Sequence, residues 1–199
     1  MRVLYLFPLA AGLLLLCPAC DKVCDTDNLP QYPLTPGLRA WVDPYAKGMV
    51  LRFRNAGTGY VRSYRVTEAE GKMDGSGSGV DPCPVYYREY ATRTLERTDS
   101  TGKGVEHVIR FYLAAQNSSR TEAQLSVGFS SVEPPLQQIE NGTQALAPAT
   151  FAGRTYPAVW SDSPSFPGSG SRVIVRLYLT KADGLIRFEE RNGTAWDRL

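Results

Sequence analysis

Arg172-Val173-Ile174-Val175-Arg176-Leu177-Tyr178-Leu179-Thr180, then Lys181-Ala182-Asp183-Gly184, then Leu185-Ile186-Arg187-Phe188-Glu189, is the stretch that decides the fold. Apolar residues recur at every second position, the spacing that puts one set of side chains on one face of a strand. Val173, Val175, Leu177 and Leu179 are expected inside, with Ile174, Arg176 and Tyr178 opposite them. Asp-Gly between two such runs is a strong hairpin signal, because both turn residues tolerate the positive φ that a tight turn requires. Asn192-Gly193 repeats the signal and leads into Thr194-Ala195-Trp196.

Outward from this hairpin the period stays at two. Met49, Leu51 and Phe53 alternate with Val50, Arg52 and Arg54, Asn55-Ala56-Gly57-Thr58-Gly59 turns the chain, and residues 60–66 return with Tyr60, Tyr64 and Val66 on one face and Arg62 among them. Residues 71–84, with Gly75-Ser76-Gly77-Ser78-Gly79, read as a loop. Residues 85–95 and 105–113 read as paired strands, and residues 124–130 as a further strand with Leu125, Val127 and Phe129 inward. Past residue 22 helical spacing is limited to one turn within 136–147, between prolines. The expectation is an all-β chain: an antiparallel meander of about eight strands, forming a small barrel or a sandwich. A single β domain is expected over residues 41–199, a length that can bury one adequate core.

The first twenty residues ask for export. Arg2 supplies a charge, residues 3–16 are apolar apart from the Tyr5 hydroxyl, and Cys17-Pro18-Ala19-Cys20 precedes the polar Asp21-Lys22. Charge, apolar core and small residue is the layout of a signal peptide over residues 1–19. The apolar run falls short of the about 20 residues a membrane-spanning helix needs. Ala19-Cys20 resembles the lipobox of bacterial lipoproteins, a small residue before an obligatory cysteine, with Cys17 where leucine is usual. Cys20 is therefore the expected lipidation site, and residues 20–40 the tether. Cleavage after Ala19 by the ordinary signal peptidase, giving a soluble secreted form, is the alternative.

Loss of Cys17 with the signal and use of Cys20 for lipid would leave Cys24 and Cys83, an even pair in an oxidising compartment. A Cys24–Cys83 disulfide is expected to pin the tether to the body. Two cysteines and one histidine fall short of a metal site, so neither metal nor cofactor is expected. A formal net charge of +2 gives no electrostatic case for nucleic acid.

The C-terminal stretch resembles the ending of many small lipoproteins of the Bacteroidetes. In these a Tyr-containing strand, a Gly turn and a Gly-Leu-Ile/Val-x-Phe strand precede an Asn-Gly turn and a terminal Trp. Gly184-Leu185-Ile186-Arg187-Phe188 and Asn192-Gly193-Thr194-Ala195-Trp196 carry the match, and Trp41-Val42-Asp43-Pro44-Tyr45 resembles the opening of such proteins. The resemblance covers about a quarter of the chain and imports no activity. It implies a lipid anchor and a place in the cell envelope, at the outer membrane, with Asp21, Asp25 and Asp27 leaving surface display open.

Catalytic constellations are poor. His107 alternates with Ile109 and Phe111 and reads as structural; a general base would need a nucleophile and an orienting carboxylate beside it. Glu189 and Glu190 are strand neighbours that point to opposite faces, so they do not make a glycosidase pair; with Glu68 and Glu70 they read as solvated edge residues. Gly75 to Gly79 lacks the following helix and Lys-Ser/Thr of a phosphate loop. Three Asn-x-Ser/Thr patterns, at Asn117, Asn141 and Asn192, read as turns. Tyr86, Tyr87, Tyr90, Trp160 and Phe166 could form an aromatic platform for a carbohydrate or protein partner. The function expected is non-enzymatic ligand or partner binding, marked by a cavity or aromatic groove at one end of the β-structure. An assembly subunit of an envelope complex, or a hydrolase with an unrecognised site, are the alternatives.

Overall fold

Alternating strands separated by short turns pair with their sequence neighbours, and that is how the chain is built. The computed structural model describes residues 24–77, 83–100, 104, 107–165, 170 and 172–199. The first half runs β1 (Gln31–Tyr32), α1 (Pro36–Arg39), β2 (Val50–Asn55), β3 (Val61–Ser76), β4 (Tyr86–Arg97), β5 (Val108–Ala115), β6 (Thr121–Val127) and β7 (Ser130–Val132). The second runs α2 (Leu136–Glu140), β8 (Ala147–Phe151), β9 (Arg154–Asp162), β10 (Ile174–Thr180), β11 (Gly184–Glu190) and β12 (Ala195–Arg198).

The sheet order among the described residues is β7-β6-β5-β4-β3-β2-β12-β11-β10-β9-β8, an antiparallel sheet of eleven strands curled into a half-barrel. Two meanders, β2 to β7 and β8 to β12, are joined where β12 pairs with β2, Trp196 opposite Asn55. β1 adds a short parallel pairing on β4, beyond the end of β5. The curl brings β7 to β10 across a seam, where the Ser130 hydroxyl donates to the Ile174 carbonyl at 3.1 Å.

All-β antiparallel architecture is as expected; the count of about eight strands is corrected to eleven. β8 and β9 escape the alternation pattern because Pro148 and Pro157 interrupt it. Both prolines sit at an irregularity in the β8–β9 register, between the pairs Ala147–Val159 and Ala149–Tyr156, where proline does no harm to a ladder. The second half of β3, expected as loop, is strand through Ser76 and pairs with Tyr86. Residues 70–75 are exposed on both faces, so no buried row marks them.

The core lies inside the curl. Leu51, Phe53, Tyr64, Val66, Leu95 and Ile109 are buried from the first meander. Leu177, Leu179, Leu185 and Phe188 face them from the second, each such side chain contributing about 1.5–3 kcal/mol of burial. Ile174 is buried too, against the expectation that placed Val173 and Val175 inside. A register shift between Ile174 and Arg176 turns the strand over at that point. Phe129, expected inward, is 72% exposed, because Gly128, at φ +63, turns the chain between β6 and β7. On the outer face, the β8–β9 hairpin folds back over β10 and β11 and buries Ile186 with Tyr156 and Val159.

One end of the half-barrel is plugged. Thr35 caps α1, and Leu34, Leu38, Trp41 and Tyr45 enter the core there. The segment expected to be a tether over residues 20–40 thus belongs to the fold from β1 onward. Tyr45 is fully buried; its hydroxyl accepts the Leu185 amide at 2.6 Å, and burial pushes its phenol up to about 12. The Trp41 indole donates to Glu140 of α2, which also holds Lys181 at 2.7 Å. Cys24 and Cys83 are bonded, with Cα atoms 5.4 Å apart and a sequence separation of 59, as expected.

Candidate functional site

The other end is open, and there the inward rows change from apolar to charged. Two residues beyond Tyr64 along its face lies Arg62; beyond Leu95 lies Arg97; beyond Ile109 lies His107; beyond Phe188 lies Glu190. The register lines these up, since Leu95 opposes Ile109 and Glu190 opposes Ile174. A cavity of about 430 Å³ opens between them and the seam. Val127, Phe129, Val173 and Ile174 form its apolar wall, and Arg172 stands at its rim. That volume lies in the range of small-molecule sites, as does the mix of an apolar lining with a few polar groups.

The charges are arranged asymmetrically. Glu190 is 4% exposed and accepts from Arg62 at 2.9 Å and from the Trp196 indole N–H at 3.0 Å. The Arg62 guanidinium lies 3.6 Å from the centre of the Trp196 ring, a stacking and cation–π contact. Its Nε is buried with no hydrogen-bond partner. Behind the cavity, burial works to raise the Asp99 carboxyl. Arg97, the Ser63 amide and the Tyr60 hydroxyl all donate to it and hold it well below the usual carboxylate range. Burial also pushes the Tyr64 phenol up, against the pull of Arg62 and Arg97. Arg172 is exposed and has no carboxylate partner among the described residues. Among the described residues, Glu190 and Asp99 are thus occupied, while guanidinium N–H capacity is left over.

Of the residues expected to form an aromatic platform, the four described, Tyr86, Tyr87, Tyr90 and Trp160, do not come together on one surface. Tyr86 and Tyr90 share the outer face of β4, Tyr86 against Tyr32 and Tyr90 against Tyr112, with Lys72 above Tyr90. Tyr87, one residue along, points the other way by the alternation of the strand. Trp160 is 6% exposed in the core. Phe166 and Cys20 lie outside the described residues. Glu189 and Glu190 do take opposite faces, Glu189 pairing with Arg187 at 2.8 Å outside. Glu190, expected to be solvated, is instead buried.

No family model, curated protein or solved structure matches this chain. Among the described residues, no group of three or more His, Cys, Asp or Glu is placed to hold a metal ion. No described helix is long and apolar enough to cross a membrane.

Arg62 is placed by its alternation on the face of Tyr64 and Val66 but carries no role in the sequence, and Arg97, Arg172 and Ser130 carry none either. The signal for the first two was present: each is in phase with the buried residues of its own strand. A charge that continues an inward row marks a strand end where the interior meets water.

Proposed function

We propose that this chain is a cell-envelope lipoprotein, held at the outer membrane by lipid on Cys20, that binds a small ligand in the open mouth of its half-barrel without catalysing a reaction. The observation that carries the binding reading is the mouth cavity, where a charged row meets an apolar wall at one end of an otherwise packed interior. A binding role suits the electrostatics. Glu190 and Asp99 are tied to arginines, so neither is poised to move a proton or attack a substrate. The leader, the Ala19-Cys20 pair and the resemblance of the C-terminal hairpin to Bacteroidetes lipoproteins support the address. The bonded Cys24 and Cys83 suit an oxidising envelope.

The address is tested by growing cells with labelled palmitate: the wild type takes up label and sediments with membranes, and Cys20→Ala does neither. Label retained by Cys20→Ala would refute it. The binding role is tested by screening fragments of neutral, cationic and anionic character against the mouth amides by NMR. If no fragment of any charge perturbs the amides of Val127, Phe129 and Ile174, the binding reading is wrong.

A further inference from the structure

Resting on that reading, we infer that the ligand of the mouth is an anionic amphiphile: a carboxylate or phosphate head carried on an alkyl chain. The head is set by what the site lacks. Arg62 and Arg97 face two carboxylates, and both carboxylates are engaged by them and by further donors. The Arg62 side chain lines the cavity at 15% exposure and gives one N–H to Glu190, and a guanidinium carries five such donors, so it has N–H capacity for a further acceptor. Arg172 adds a second guanidinium without a partner among the described residues. Planar guanidinium groups match carboxylate and phosphate oxygens in a paired geometry. Among the described residues, a cationic head would meet more guanidinium than carboxylate and find both acids, Glu190 and Asp99, already engaged.

The chain is set by the apolar part of the same lining. Phe129, Val127, Val173 and Ile174 share the lining; Phe129 is 72% exposed, and Val127 and Ile174 are buried. An exposed phenylalanine next to a half-enclosed apolar surface is covered by an alkyl chain at low cost, since the backbone turn at Gly128 already holds it outward. Guanidinium groups and apolar side chains thus line one cavity, where an anionic head and an alkyl chain can be met together.

The test is calorimetry on the full chain in nanodiscs, with empty discs as the blank, using hexanoate, hexyl phosphate and hexan-1-ol. The inference expects at least one of the two anions to bind tenfold or more tightly than the alcohol; whichever binds tighter names the head group. Arg172→Gln, an exposed position whose loss cannot unfold the core, should weaken the anions at least fivefold and leave the alcohol unchanged. Arg62→Gln should do more, provided its circular dichroism is that of the wild type. Hexanol binding as tightly as both anions, or anion affinity unmoved by Arg172→Gln, would overturn the inference and leave the mouth a neutral ligand site. If none of the three binds, while neutral or cationic fragments perturb the mouth amides, the inference falls alone. If those fragments fail as well, the binding role falls with it.

Discussion

Replacing Glu190 by alanine removes the counter-ion of Arg62 and the acceptor of the Trp196 indole in one step. Breaking a buried pair by deleting one partner costs about 3–5 kcal/mol, because the charge left behind is uncompensated. Two features moderate the figure here. Arg62 is 15% exposed at the cavity, so water reaches it, and its guanidinium keeps its place on the Trp196 ring. These put the ion-pair part near the lower bound, about 3 kcal/mol. The unsatisfied indole N–H adds about 1 kcal/mol. Glu190→Gln retains an acceptor oxygen and should cost about half as much as the alanine. The double variant Arg62→Leu, Glu190→Leu leaves no stranded charge and should lose much less than the sum of the two single leucine variants. Urea unfolding followed by circular dichroism reads each loss as a shift of midpoint at constant slope. A loss below about 1 kcal/mol for Glu190→Ala, or single losses that simply add to within about 0.5 kcal/mol, would refute the placement of this pair in the interior.

Gly184, at φ +69, packs against Tyr45 so closely that a Cβ would overlap the phenol, whereas Gly193, at φ +83, faces open space. Gly193→Ala should cost the positive-φ penalty of about 1–2 kcal/mol, and Gly184→Ala clearly more, both read by urea midpoint. Equal losses would contradict the plug. Asp99 has a folded-state carboxyl held below its unfolded value. It therefore contributes stability above about pH 4, lost as the pH falls through the folded value. Wild type should lose stability more steeply than Asp99→Asn on acidification below pH 4, with parallel curves between pH 6 and 8; parallel curves throughout would contradict the bonding drawn for Asp99. Cutting the 59-residue loop with Cys24→Ser, Cys83→Ser should cost at most about 4 kcal/mol by chain entropy. Scanning calorimetry reads that as a fall in Tm of up to about 16 °C; an unchanged Tm would mean the bond does not constrain the unfolded chain.

The strand hairpins were legible where one face is buried and the turn carries Asp-Gly or Asn-Gly, as in β10 to β12. They were not legible where the cause of the pattern is missing. Residues 70–75 have no buried face, so nothing in their polarity distinguishes a solvated ribbon from a loop. Pro148 and Pro157 argue against strands unless one knows that they meet at a register irregularity. Ile174 and Phe129 went to the wrong face for a related reason, since one shifted residue or one glycine turn inverts a period of two. The site was half legible. Arg62, Arg97 and Glu190 continue inward rows and could have been read as interior charges. Arg172 and Ser130 owe their places to the curl that brings β7 to β10, and nothing in either segment alone encodes that approach.

A ligand is expected to enter the half-barrel at its mouth, not at its plugged end. Methyl-labelled protein titrated with hexyl phosphate tests this most directly by NMR, because probes sit at both ends of the core. Val127, Val173 and Ile174 mark the mouth; Leu38, Val42 and Leu185 mark the plugged end. The prediction is saturable shifts confined to the first group. Shifts led by Leu38, Val42 or Leu185, with the mouth methyls unmoved, would contradict it.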